Sequence, residues 1–354
     1  MKILITHEIF PPEKTGGGED VMSKLASDMI AAGNEVEVFT SGDPSLISFG
    51  NVKTRRFKIN RYLMNLFEKK IEKAAKDFDI IQTSSGNLCY PSWVAAKKLR
   101  KPIVCIVHHA FGKYWKDVRG PVIGRAFEAA EKFFLSRDYD CIVVQNRSTE
   151  KLVKSINRKS KIIFLPSGIE NFTDIKAGRK EKMVLFVGSY NITKQIAKVK
   201  GLDYFLEAAK KLPNIKFLIV GGGDYIETLK KSSLPNVKFL GRVVGKPLRE
   251  LYSKALVFCL PSLAEGFSRA TAEAMAAGCA IVSTIDLGQD GKIIEPKNPE
   301  QIAERIKFYI ENPKVAALER KKNSSVARRL TWKNFISGMR DIYINAVKAK
   351  TNNA

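Results

Sequence analysis

Short, β-branched apolar runs alternate with longer amphipathic stretches along this sequence, and the series starts twice. The first comprises Lys2–Ile5, Val36–Phe39, Ile80–Gln82, Ile103–Val107, Cys141–Val144 and Ile162–Leu165. The second comprises Met183–Val187, Lys216–Val220, Val237–Leu240, Val257–Leu260, Ala280–Ser283 and Lys292–Ile294. Several runs are apolar on successive residues, as strands covered on both faces must be. The stretches between them carry helical spacing, as in Met22, Leu25, Ala26, Met29 and Ile30, or Leu202, Phe205, Leu206 and Ala209. Strands and helices in alternation bury their apolar faces together by stacking helices on a parallel sheet. Pro166-Ser167-Gly168-Ile169 closes the first series, a basic stretch from Lys176 to Lys182 follows, and a new strand opens at Met183. The expectation is an α/β protein of two doubly wound Rossmann-like domains, residues 1–172 and 178–330, with a linker near 172–182. An amphipathic helix from Trp332 to Val347 lies outside both series; residues 331–350 are expected to pack back on the first domain. With 354 residues, two ordinary cores can be filled. Ligands of such sheets sit beyond the carboxyl ends of the strands, so two facing domains would frame a cleft with their loops.

No apolar run approaches the ~20 residues a membrane-crossing helix needs. The opening residues Met1 to Thr6 are interrupted by His7 and Glu8 and read as a strand rather than an export signal, so a cytoplasmic setting is expected. Five cysteines (Cys89, Cys105, Cys141, Cys259, Cys279) show no C-x-x-C pair, and three lie in apolar runs where a thiol behaves as a small hydrophobe.

The segment Leu260 to Met275 carries the densest chemistry. A buried strand ends at Leu260, a turn holds Glu265-Gly266-Phe267, and a helix is expected from about Ser268. Free N–H groups at a helix amino terminus, set at a strand's carboxyl edge, attract phosphate. Glu265 precedes those donors and Glu273 lies about a turn and a half into the helix, so one carboxylate can reach a sugar while the other reaches a ribose. An ordinary helix with an exposed glutamate fits the same spacing.

Pro261 to Gly278 resembles the signature of the retaining GT-B glycosyltransferases, family 4 or group 1 type: P-S-x-x-E-G-F, a second glutamate, then A-M-A-x-G. The resemblance implies a GT-B fold and transfer of a sugar from a nucleotide-diphosphate sugar. It implies that Glu265 contacts the donor sugar, that Glu273 contacts the ribose, and that the amides of Gly266, Phe267 and Ser268 hold the diphosphate. It extends to Pro11-Pro12 with Gly16-Gly17-Gly18-Glu19, which looks like a first-domain loop where Gly16 and Gly17 approach donor and acceptor. Leu165 to Glu170 resembles the turn closing the first domain. Gly188 opens the second domain, and Lys200-Gly201 matches a lysine–glycine pair whose lysine stabilises the leaving diphosphate. His108, delivered with His109 by the strand ending at Val107, matches a histidine facing the reacting sugar. The first domain is thereby expected to bind the acceptor and the second the nucleotide sugar.

Two departures stand out. Ser189 replaces an arginine expected after Gly188, leaving Lys194 or Lys198 as substitutes, and Thr284 to Gly291 shortens a loop that often touches the donor. Asp77-Phe78-Asp79 and Asp138-Tyr139-Asp140 spell a metal–diphosphate motif, but each lies at a strand's amino end, away from the expected cleft. The expected reaction is therefore metal-independent and needs no cofactor, with retention by front-face substitution as the resemblance implies.

The net charge of +24 argues for an anionic partner. Basic residues interleave with apolar ones from Lys53 to Lys76 and again from Phe111 to Phe134, a pattern shared by membrane-surface segments and by amphipathic helices packed on a sheet. A carbohydrate or lipid-linked acceptor and peripheral attachment to the inner face of an anionic membrane are the expected partners; nucleic acid is not, because the charge is spread over both halves. A nucleotide-sugar epimerase of the same fold and a non-catalytic basic binding protein are the rival readings.

Overall fold

The computed structural model describes residues 1–13, 16–169, 178–189, 191–231 and 234–352. Glu170 and the first half of the linker, to residue 177, lie outside them. Among the described residues thirteen strands form two sheets: β1 (Lys2–Thr6), β2 (Glu35–Ser41), β3 (Ser48–Phe49), β4 (Val52–Phe57), β5 (Ile80–Ser84), β6 (Ile103–Val107), β7 (Cys141–Val144), β8 (Lys161–Phe164), β9 (Glu181–Val187), β10 (Lys216–Val220), β11 (Val237–Phe239), β12 (Ala255–Leu260) and β13 (Ala280–Ser283). The first sheet runs β3-β4-β2-β1-β5-β6-β7-β8 and the second β11-β10-β9-β12-β13. Every pairing is parallel except β3 with β4. In each sheet the strand order reverses about the first full strand, β1 or β9, which opens a crevice at the carboxyl ends of β1 and β5 and of β9 and β12.

Two expectations need correction. Residues 53–58, read as part of a basic surface segment, are mostly strand β4. Its inward positions are Val52, Thr54 and Arg56, and the Arg56 side chain is fully buried, paired with Glu13 at 3.1 Å and donating to the Phe10 carbonyl at 3.1 Å. Arg55 pairs with Glu37 at 2.6 Å. The Arg56 charge is met inside the fold and that of Arg55 is paired at its surface. Lys292–Ile294 is not a strand: Gly291 turns the chain at φ 103°, and one bond from Ile294 N to the Ser283 carbonyl, 3.1 Å, is all it adds beside β13.

The helix Trp332–Thr351 lies on the first sheet. Phe335, Met339 and Tyr343 are fully buried in one cluster with Ile3 and Ile5 of β1 and Val104 and Ile106 of β6. Burying each such side chain contributes roughly 1.5–3 kcal/mol. The Tyr343 hydroxyl donates to Gln82 Oε1 at 2.9 Å, so the buried phenol and the buried amide satisfy each other. The chain crosses between the domains twice, and the crossings run side by side: Ile169 N donates to the Leu330 carbonyl at 3.1 Å, and a Cβ on Gly168 would lie 2.0 Å from Trp332 N. No described helix is long and apolar enough to cross a membrane.

Candidate active site

The carboxyl ends of both sheets face one cavity of about 830 Å³. From the first domain it is lined by His7 and Glu8 after β1, by His108 and His109 after β6, and by the start of the helix Gly17–Ala31, which includes Gly16, Gly17, Gly18 and Glu19. From the second it is lined by Val199, Lys200, Ala264, Glu265, Gly266, Phe267 and Arg269.

Glu265 is the junction of the two halves. Its Oε1 accepts from Lys200 Nζ at 2.6 Å and from Ser262 Oγ at 2.8 Å. With one oxygen anchored twice, Oε2 takes no hydrogen bond among the described residues and is left for a ligand hydroxyl. The main chain is clamped as well: Asn146 Nδ2, just past β7, donates to the carbonyls of Glu265 at 2.9 Å and Gly266 at 2.6 Å. A Cβ on Gly266 would stand 1.8 Å from the His108 carbonyl oxygen. Only glycine lets the second-domain turn slide beneath His108.

The lysine–glycine pair stands at the start of the helix Leu202–Lys210: Lys200 ends a short helix, Lys194–Lys200, and Gly201 at φ 71° breaks the chain between the two. A Cβ on Gly201 would sit 2.0 Å from the Pro261 carbonyl oxygen, so the same glycine seats this break against the Glu265 loop. Lys194 and Lys198 are exposed, and neither lines the cavity. Ser268 caps the helix Arg269–Ala276, its Oγ accepting from Thr271 N at 3.4 Å.

The structure thus gathers His108, Lys200, Glu265, Gly16, Gly17, Gly266 and Phe267 on one cavity. Gly188, Ser189, Ser268 and Glu273 are not among its lining residues. Glu273 lies toward Tyr252, and burial raises its pKa, opposed by the Tyr252 hydroxyl and by Arg269. That hydroxyl, buried, lies near the carboxylate without meeting hydrogen-bond geometry in this conformation.

Several cavity residues escaped the sequence reading, namely His7, Glu8, Arg61, Arg119 and Arg269, as did Asn146 behind the Glu265 turn. His7 and Glu8 could have been found by the argument that found His108, since they directly follow a strand. The His7 and His108 rings meet edge to face at 5.4 Å. Burial lowers His7 to about 4, against a smaller opposing effect of Glu19. Burial lowers His108 well below the usual histidine value, and the neighbouring His7 and His109 lower it further. His7 Nδ1 and His108 Nε2 are buried without a partner among the described residues, two neutral-imidazole nitrogens whose hydrogen-bonding capacity is unused in this conformation. Burial also raises the Glu8 pKa, opposed chiefly by the Asn87 amide. Arg269 bridges the domains to Asp20 at 3.6 Å.

The two D-x-D stretches hold the first domain together. Asp79 accepts from Lys2 N at 2.7 Å and Asp140 from Ile103 N at 2.9 Å, both at strand starts, while Asp138 pairs with Lys97 at 2.7 Å.

Two parallel-sheet domains meeting at one cavity, with a glutamate–lysine pair on the second, define a GT-B enzyme. The glycosyltransferase family 4 model matches residues 15–171 and the group 1 glycosyl transferase model residues 181–312, and the chain belongs to this family. An uncharacterized glycosyltransferase of Methanocaldococcus jannaschii is 28% identical, over 86% of this chain and 87% of the relative. The phosphatidyl-myo-inositol mannosyltransferase of Mycobacterium tuberculosis is 23% identical over 90% and 84%. Sucrose-phosphate synthase from Thermosynechococcus elongatus shares the fold with a TM-score of 0.76, at 20% identity, over 98% of this chain and 99% of its own. HepE of Anabaena, solved with UDP-glucose, gives a TM-score of 0.67 at 17% identity, over 99% and 100%. The chain is a nucleotide-sugar-dependent glycosyltransferase, which sets aside the epimerase and non-catalytic readings.

Proposed function

We propose that this enzyme transfers a sugar with retention of configuration, without a metal ion, from a nucleotide-diphosphate sugar to a hydroxyl of a lipid-linked acceptor. The observation carrying the reading is the Lys200–Glu265 pair, 2.6 Å long, in the cavity that His108 also lines. When the donor binds, Lys200 turns from Glu265 to the diphosphate and offsets the charge that grows as the sugar leaves. Glu265 Oε2 takes a hydroxyl of the donor sugar, and Glu273 the ribose once the nucleotide settles against the helix Arg269–Ala276. The amides before that helix complete the diphosphate site in place of a cation. His108, neutral, accepts from a hydroxyl of the reacting sugars, and the leaving diphosphate takes the acceptor's proton on the same face.

The lipid-linked acceptor is supported by exposed apolar side chains beside the cavity and by the net charge. The same features favour peripheral attachment to an anionic membrane, which predicts co-sedimentation with phosphatidylglycerol vesicles at low salt and loss of it at high salt. Proton NMR of the newly formed glycosidic bond tests the mechanism: the anomeric configuration of the donor is kept and turnover survives a chelator. An inverted product, or activity abolished by the chelator, overturns it. Thermal-shift titration with UDP, GDP, ADP and their sugars identifies the donor.

A further inference from the structure

The first-domain side of the cavity has an ordered chemistry of its own. An aromatic wall leads outward from the histidines: His109 to Phe111 at 5.1 Å between centroids, Phe111 to Trp115 at 4.6 Å, and Trp115 to Phe127 at 5.0 Å. It ends where the Arg119 guanidinium lies over the Phe127 ring at 5.6 Å. Across the mouth, Arg61 donates to the Tyr62 hydroxyl at 3.1 Å. Arg61, Tyr62 and Arg119 all line the cavity here, and both guanidinium groups lower the pKa of the Tyr62 phenol, Arg61 more strongly.

The other cations of the cavity each lie against a carboxylate. Lys200 pairs with Glu265 and Arg269 with Asp20. Glu131 accepts from Phe111 N, Gly112 N and Trp115 Nε1 at 2.9, 2.7 and 2.9 Å, which also fixes the aromatic wall. Among the described residues, Arg61 and Arg119 form no contact ion pair with a carboxylate; Glu8 and Glu19 of the same cavity attract Arg61 over a longer range. Just outside them, the aliphatic side chains of Leu63, Leu66, Val122 and Ile123 are 51%, 78%, 80% and 58% exposed.

From the histidines outward, the order is polar corner, aromatic wall, guanidinium pair free of contact ion pairs, exposed aliphatic rim. We propose that the acceptor is an anionic amphiphile: its hydroxyl-bearing head lies along Phe111 and Trp115, a phosphate sits between Arg61 and Arg119, and its apolar chain leaves over the aliphatic rim. A phosphate matches the forked donors of two arginines, and aromatic faces suit a sugar or polyol ring. This rests on reading the cavity as the acceptor side of a transferase.

Isothermal titration of the full chain with dodecyl phosphate below its micelle threshold, dodecyl maltoside and glycerol 1-phosphate tests it. Dodecyl phosphate is expected to bind at least about tenfold more tightly than the other two, and the double variant R61A/R119A to lose that advantage by about 10- to 100-fold. Equal binding of the two amphiphiles by the unmodified protein overturns the phosphate site. Glycerol 1-phosphate binding as tightly as dodecyl phosphate overturns the amphiphile and points to a free phosphate. Thermal shift with nucleotide sugars, run on both proteins, reports the donor side separately. Donor binding without dodecyl phosphate binding defeats only this inference, whereas no donor binding defeats the transferase reading beneath it.

Discussion

Gly266 and His7 show how single residues set the behaviour of this site. A methyl at position 266 cannot coexist with the His108 carbonyl 1.8 Å away, so Gly266→Ala must push the two domains apart or distort the Glu265 turn. The expected cost is about 1–3 kcal/mol of stability, with a larger loss of turnover, measured by urea unfolding and by transfer rate. His7 is neutral in the folded protein down to about pH 4, whereas an unfolded histidine takes its proton near 6.5. Between those values the unfolded chain holds the extra proton, so stability falls as pH falls through that window, by about 3 kcal/mol in all for this one group. His7→Gln removes that share, and unfolding curves at pH 7 and pH 4.5 should differ less in the variant than in the parent. At the same scale, Lys200→Met removes the cation proposed to offset leaving-group charge; kcat should drop about 10²–10³-fold. Unchanged kcat would remove Lys200 from the mechanism. The Glu265 frame was legible because its residue types are fixed at fixed spacing. Arg61 and Arg119 were not, since nothing in sequence brings two arginines 58 positions apart to one cavity mouth.

At the level of elements, the long parallel strands were readable because burial on both faces makes them continuously apolar, as in β6 and β12. Strand β4 was not, because its inward positions include Thr54 and a buried arginine whose charge is met by Glu13. The period of two was present, carried by polar residues, and so looked like a solvated face. The break at Gly201 was also hidden: the sequence shows a lysine–glycine pair before a helix but not that another helix, Lys194–Lys200, runs up to it. Gly201→Ala would face both a left-handed backbone, costing about 1–2 kcal/mol, and contact with the Pro261 carbonyl. Donor affinity by thermal shift should fall with it, because Lys200 is the next residue. Retained affinity would mean that Lys200 reaches the donor without this break.

Across the whole molecule, few polar bonds tie the facing loops, and most converge on one short segment. Asn146 holds the Glu265 turn, Arg147 N donates to the Asp286 carbonyl at 2.7 Å, and Ser148 Oγ donates to the Thr284 carbonyl at 3.0 Å. The second and third partners lie in the shortened loop, so a stretch that looked merely trimmed in sequence serves as the dock for the other domain. Asn146→Ala leaves two carbonyls short of a donor, at about 1–3 kcal/mol. Small-angle scattering should then show a more open particle, and KM for the donor should rise; an unchanged scattering profile would count against this bridge.

The helix Trp332–Thr351 also orders events during synthesis. The core of the first sheet includes Phe335, Met339 and Tyr343, which leave the ribosome only after the entire second domain has been made. At ordinary elongation rates the face of β1 and β6 waits uncovered for on the order of ten seconds. Nascent chains stalled near residue 330 should therefore recruit chaperone and be cut by protease within the first domain, while chains released in full should resist.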